Sequence, residues 1–506
     1  MIDLQSDHPQ EIPLPPNRFD KGYAEEKFDE KLISQALKYE SRFKGKEIVL
    51  QDKSVVEIGN ASPPVGKQAK KIQKVAHHLV ATHLKREPIT LNRGELKIIQ
   101  REGHVEKKEE GHYKHIKGYT LSSEIQKKEE VDEIANQGSL QVGDKVYSRS
   151  ARTDTKRKIE EKSLGDIYHR LKHPKQPGLK KVEGEENTWE YTRVDISFMD
   201  DDKWKSRATR FVSWFKNIPI RLGNVLFRRE KPLIPTEDER AFLRNKRTCV
   251  KNMWREDNPD IIEDLKTGRK YLERKVKVGE TVHTIREYQP LVMEMVFSGR
   301  AKGKKTIRAA NENNKESHKE LFQKAIDNGA FRELEVKNVE EFFNNWNLEK
   351  MSNRIQNLSP QENLALRGLC ISLTGKDLDG KASESAWSQG EQLLYVKALS
   401  DLANTGLSVE CKSGNDRTGV GVALLASAEE YESKHLGKVY DPQGHEDERE
   451  FQNIFCENTI DLAKPVVFSS RGGEKPVFKV KSNPVFNHFI GIEANLEKIK
   501  GNMTLK

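Results

Sequence analysis

Four cysteines are spread through the 506 residues, Cys249, Cys370, Cys411 and Cys456, and no two of them form a C-x-x-C pair. That spacing argues against a disulfide framework or a zinc site and suits a reducing compartment. No uninterrupted apolar run approaches the length of a membrane span, so any membrane contact is expected to be peripheral. The opening MIDLQSDHPQ lacks the basic start and apolar stretch of a cleavable signal peptide. Recognition motifs for nucleic acid are missing as well, so the lysines by themselves imply no nucleic-acid partner.

Charge, by contrast, is abundant. Charged residues make up 33% of the chain and hydrophobic ones 35%, with 88 Lys and Arg against 79 Asp and Glu and a formal net charge of +9. Mean hydropathy is −0.80. Still, 19 Phe and 6 Trp are enough for packed cores, and the length fits two or three domains with highly charged surfaces. A basic balance suits an acidic partner such as an anionic membrane surface or a phosphorylated substrate.

Taken in order, residues 1–20 hold Pro9, Pro13, Pro15 and Pro16 and read as a flexible arm. Residues 21–195 read as a helical and mixed N-terminal domain, helical to about Glu130. Its clearest amphipathic stretch is KQAKKIQKVAHHLVATHLKRE, with Ile72, Val75, Leu79 and Val80 on one face. His104, His112 and His115 lie in a Lys- and Glu-rich stretch without zinc-like spacing. Residues 196–506 read as the catalytic domain. Within it, Phe211, Trp214, Phe215 and Ile218 recur at helical spacing among basic residues, a pattern for a core helix or one lying on an anionic bilayer. Pro235 to Glu239 forms a capping box. The run Gly299 to Thr306 resembles a nucleotide-binding loop but has three residues between its glycines, where four are needed, and no clear strand–helix frame. It reads as a basic loop.

Leu369–Leu373 reads as a strand and Glu391–Leu402 as an amphipathic helix stopped at Asn404-Thr405-Gly406. Leu407, Ser408 and Val409 then lead as a strand into Cys411, and a helix follows. A βαβα unit results, which implies an α/β fold with a parallel sheet and the site at its strand ends. Another helix is expected from about Glu446 to Leu462. Beyond it, Ser469 to Pro476 makes a glycine-rich basic turn before a strand over Val477–Lys481. Arg471 and Lys475 there suggest a second substrate-gripping loop, with an ordinary hairpin turn as the alternative.

The central stretch is CKSGNDRTG, residues 411–419. A loop running into a helix turns backbone N–H groups into its own hollow, and the helix start adds partial positive charge. Such a nest binds a tetrahedral dianion. Gly414 permits the tight turn, and Lys412, Ser413 and Asn415 complete the loop. Arg417 can grip two phosphate oxygens with its planar fork. The same field is expected to favour a nucleophilic thiolate at Cys411, to which the Thr418 hydroxyl can donate.

CKSGNDRTG resembles the CKSGKDRTG loop of cysteine-based phosphatases. That form occurs in inositol-polyphosphate 4-phosphatases and in bacterial secreted-effector phosphoinositide phosphatases of the SopB/IpgD and SidF/SidP kinds. The resemblance implies a cysteine-phosphatase core with a central sheet flanked by helices, and a phosphocysteine mechanism on a phosphoinositide head group. Cys411 would be the nucleophile and Arg417 the phosphate clamp, with no metal or other cofactor. It also implies an effector translocated to host membrane surfaces. Asn415 stands where that form carries lysine, leaving Lys412 as the loop's only lysine. Asp416 is the first candidate for general acid, with a structural carboxylate as the alternative and Asp377 or Asp379 as other acids. A protein tyrosine phosphatase and a non-catalytic phosphoinositide-binding module remain the rival readings.

Overall fold

The computed structural model describes residues 89–102, 138–151, 153, 156–172, 177–200, 239–264, 268–278, 281–298, 304–344, 354–384, 388–411, 416–444, 447–463, 477–478, 480 and 483–505, with a few short strand pieces between 47 and 132. The arm at 1–20, the amphipathic stretch at 67–87, the three histidines and the aromatic stretch at 204–222 lie outside the described residues. Two compact units are present: Met1–Val80 with Tyr113–Lys128, and Ala81–His112 with Glu129–Lys506. In the first, Glu47–Val49 pairs antiparallel with Val55–Glu57 and with Thr120–Leu121.

The second unit carries the candidate site. Its main elements are β1 (Ile89–Arg93), β2 (Leu96–Glu102), β3 (Gly138–Val142), β4 (Lys145–Ala151), α1 (Lys156–Leu171), β5 (Arg193–Asp200), α2 (Glu239–Met253), β6 (Leu291–Ser298), α3 (Lys304–Asp327), α4 (Pro360–Thr374), α5 (Gln389–Leu402), β7 (Gly406–Cys411) and α6 (Asp416–Lys434). The seven strands form one mixed sheet in the order β6-β5-β7-β4-β3-β2-β1. From β6 to β4 they run parallel, and from β4 to β1 antiparallel. Strands from both sides of residue 195 therefore share this sheet. A smaller five-stranded sheet, Leu179–Lys181, Thr188–Tyr191, Thr281–Tyr288, Lys270–Val278 and Ile261–Glu263, packs Val276 and Ile285 against Ile167 and Leu171 of α1. The architecture is mixed α/β with sheets flanked by helices, the class read from the sequence.

Three local readings change. The region read as helical up to Glu130 contains the β1–β2 hairpin, whose register brings Arg93 opposite Leu96. Gly94 at φ 62 makes that tight turn possible, and the charged composition around it obscured the alternation of Ile89, Leu91, Leu96 and Ile98. Leu369–Leu373 is not a strand but the last part of α4. A short apolar run fits a buried helix as well as a buried strand. Here the capping box of Ser359 and Glu362, with Pro360 at the first turn, opens a helix upstream of it. β7 consequently takes its parallel neighbours from β4 and β5, far upstream, and the expected βαβα unit does not form. Finally, the basic run at 299–306 does have a strand before it, β6, and α3 opens within it at Lys304. Its glycine spacing still departs from the nucleotide-binding pattern.

The two faces of the central sheet differ in chemistry. On one face Val194, Ile196, Phe198, Met293, Met295, Phe297, Leu407 and Val409 join buried residues of α3, α4, α5 and α6 in the main apolar core. Phe198 stacks on Phe297 with ring centroids 3.8 Å apart, and α6 lies close over this pair. A Cβ on Gly421 would come within 2.4 Å of the Phe198 ring. Gly421→Ala should therefore lower stability by roughly 1–3 kcal/mol through overpacking, read from the urea midpoint. Gly501→Ala, where a Cβ meets nothing within 4 Å, should leave stability unchanged or raise it by up to about 1 kcal/mol.

Candidate active site

β7 is buried along its whole length, and Cys411 is its last residue, paired with Ala151 at the end of β4. Because β4 to β7 are parallel, Ala151, Asp200, Ser298 and Cys411 end at one edge of the sheet. α6 starts at Asp416 beside that edge. α/β sheets generally place ligands outside the C-terminal ends of their parallel strands, the edge at which Cys411 lies. Cys411 is 3% exposed. Lys412, Ser413, Gly414 and Asn415 lie outside the described residues, as do Arg471, Lys475 and the side chain of Asp416.

Arg417 and Thr418 occupy the first turn of α6. The half-buried Arg417 donates from an Nη to the Phe198 carbonyl at 3.0 Å. Its guanidinium thus sits against the C-terminal part of β5, the strand next to β7. Thr418 is fully buried and its Oγ1 has no hydrogen-bond partner. A buried hydroxyl without a partner is costly, and this one stands in the first turn of α6 beside Arg417. The first turn of a helix also leaves backbone N–H groups unpaired within it. Chemically, one thiol, one guanidinium and one helix start come together at the sheet edge.

The opposite face of the sheet holds what the sequence reading missed. Glu410, one residue before Cys411, is fully buried and points away from the apolar core. Its carboxylate accepts from Thr153 Oγ1 at 2.6 Å, Ser197 Oγ at 2.6 Å, Lys246 Nζ at 2.7 Å and Lys162 Nζ at 3.2 Å. Asp195 meets the same lysines at 3.1 and 3.3 Å and Arg193 at 3.2 Å. Burial alone would push both acids up, but Arg193, Lys162 and Lys246 around Asp195, and the two lysines around Glu410, hold them below the usual carboxylate range. The available signal was the alternation Arg193, Asp195, Ser197 and Ser408, Glu410 within otherwise apolar strands.

α6 is anchored further along its length. Glu429 contacts Lys397 of α5 at 2.8 Å and Lys145 of β4 at 2.9 Å, and accepts from the Tyr147 hydroxyl at 2.5 Å. The helix that presents Arg417 is thereby tied to the strand beside Cys411.

No protein-family model matches this chain, and no curated protein matches it. Among solved structures it is similar to the crystal structure of a Legionella phosphoinositide phosphatase, at a TM-score of 0.34 and 11% identity. The alignment covers 72% of this chain and 35% of that one. The similarity is weak.

Other candidates from the sequence are engaged elsewhere. Asp377 pairs with Arg367 at 3.2 Å and Asp379 with Lys381 at 3.0 Å. None of the four cysteines forms a disulfide, and burial pushes the Cys370 thiol well up and that of Cys456 to about 11. Those two are protonated, inert thiols at neutral pH. Among the described residues no group of three or more His, Cys, Asp or Glu side chains is arranged to hold a metal ion. Nor, among them, is any helix long and apolar enough to cross a membrane.

The anchor of α6 has a pH signature. Burial would raise Glu429, but Lys397 and Lys145 outweigh it and hold the carboxyl at about 2. A depressed folded-state value means stability that is complete above the ordinary value of 4.5 and is lost as pH falls toward 2. Glu432 at the rim is shifted upward by burial and works against this trend. Melting temperatures measured from pH 6 to about 2 should fall less steeply in Glu429→Gln than in the parent chain, from a lower starting value at pH 6.

Proposed function

We propose that this chain is a cysteine-based phosphoric monoester hydrolase acting on phosphoinositide head groups or inositol polyphosphates. One observation carries the reading most: a strand ending in Cys411 and a helix with Arg417 in its first turn meet at the C-terminal edge of the parallel part of the sheet, joined by Lys412 to Asn415. The weakly similar structure is a phosphoinositide phosphatase, but the reading stands on these residues.

In the proposed reaction the Cys411 thiolate attacks phosphorus and the bond to the inositol oxygen breaks. The leaving oxygen takes a proton from Asp416. Water, deprotonated by the same carboxylate, then attacks the phosphocysteine, releasing inorganic phosphate and restoring the thiolate. Arg417 and the amides of Lys412 to Asn415 hold the equatorial oxygens as charge builds on them. Thr418 Oγ1 donates to sulfur as it leaves phosphorus. Lys412 draws in further phosphates, and Arg471 and Lys475 grip the head group from a second loop. A 3- or 4-phosphate is the proposed target. The net positive charge favours peripheral contact with an anionic membrane, consistent with a translocated effector working at host membrane surfaces.

The test is phosphate release, read by malachite green, from a panel of phosphoinositides and inositol polyphosphates against phosphotyrosine peptides. Cys411→Ser should reduce turnover by about 10³-fold or more. Arg417→Lys keeps the charge but loses the fork and should cost about 10²-fold. Unchanged release from Cys411→Ser would leave at most a phosphoinositide-binding module, and preference for the peptides would make the chain a tyrosine phosphatase.

A further inference from the structure

The ladder that holds β7 runs out unevenly. Its pairing with β4 continues to Cys411, opposite Ala151. Its pairing with β5 stops at Glu410, opposite Ser197, one residue short of the thiol. β5 then continues toward β6, and Phe198, the next residue along, turns its carbonyl to Arg417. On that side, Cys411 has no strand pairing of its own.

Glu410 is thus the last residue of β7 paired on both sides, and its carboxylate is held on the face opposite Cys411. Its four donors come from four places: the segment after β4 (Thr153), α1 (Lys162), β5 (Ser197) and α2 (Lys246). A carboxylate in this setting is a demanding choice, because a well-packed apolar layer usually stabilises as well as or better than a buried ion pair. Fixed geometry is what such a network supplies and an apolar layer does not. Successive strand residues point to opposite faces, and four donors on the Glu410 carboxylate restrain the backbone that it shares with Cys411.

We infer that Glu410 is a positioning residue for Cys411: held by Thr153, Lys162, Ser197 and Lys246, it fixes the end of β7 and so sets where the sulfur stands relative to a phosphate held by Arg417. This rests on the phosphatase reading proposed above. Glu410 touches no substrate and acts only through the backbone it shares with Cys411.

The experiment uses the full chain and two readouts, phosphate release from a water-soluble short-chain phosphoinositide and alkylation of Cys411 by iodoacetamide followed by mass spectrometry. Glu410→Gln combined with Lys246→Met removes one anion and one cation together, which keeps the buried layer balanced. A displacement of the thiol by about 1 Å should lower kcat roughly 30- to 100-fold with KM within about twofold. The alkylation rate should change at least about fivefold, because thiolate reactivity follows its local setting. Ser197→Ala, which removes one neutral donor, should lower kcat by a smaller factor in the same direction and serves as the test if the double variant does not fold. A folded double variant or Ser197→Ala with parental kcat and alkylation rate overturns the inference, as does a rise in KM alone. A parent chain that releases no phosphate from any substrate overturns the phosphatase reading instead. The alkylation comparison then still decides whether Glu410 places the thiol.

Discussion

Two carboxylates face two lysines beneath the protein surface. Asp195 and Glu410 sit on neighbouring strands, Lys162 and Lys246 on the two helices that cover them, and all four side chains are at most 2% exposed. Removing any one would strand a charge in a low-dielectric layer, which is among the most destabilising changes a protein can suffer. The arrangement therefore holds strands and helices in one relative placement. Arg193 carries the network to Glu287 at 3.2 Å, and Arg274 meets Glu287 at 2.9 Å. The central sheet and the smaller sheet are thus linked through α1 and its surroundings by ion pairs as well as by packing.

The candidate site lies at the boundary between this ionic layer and the apolar core on the other face. Glu410 belongs to the first and Cys411 to the second, although they are adjacent in sequence. On the apolar side, the missing side chain of Gly421 lets α6 settle against Phe198, whose carbonyl meets Arg417. Further along α6, Glu429 joins the helix to α5 and β4. Glu410, beside the thiol in sequence, is held by ionic contacts, and the helix that carries Arg417 is seated by packing and by the Glu429 anchor. In the reaction proposed above, groups held in place beforehand do not have to reorient as a charged ligand enters and leaves.

Much of this was legible in the chain and some was not. Leu407 to Cys411 announced a strand and the small apolar residues after Gly419 a helix, so the strand–loop–helix unit at Cys411 could be read directly. The amphipathic helix before it and its stop at Asn404 were legible for the same reason: Asn404 takes a left-handed conformation at φ 45, which asparagine tolerates better than most residues. Leu369–Leu373 was misread because four apolar residues around Ser372 carry no period that separates strand from buried helix. The capping box that decides the matter begins ten residues earlier, at Ser359. The β1–β2 hairpin was missed because lysine and glutamate dominate the stretch and hide a two-residue turn at Gly94.

Local signals along the chain sufficed to put Cys411 at a strand end and Arg417 in the first turn of the next helix, since both elements are written in neighbouring residues. They could not supply the partners of β7. Those come from 145–151 and 193–200, and strand pairing over such separations leaves no mark in either segment taken alone. For the same reason nothing in the string ECKSG says that its glutamate meets Thr153, Lys162, Ser197 and Lys246. Only folding brings those four together, because desolvating a carboxylate is tolerable just where opposite charge and hydrogen-bond donors converge on it from distant parts of the chain.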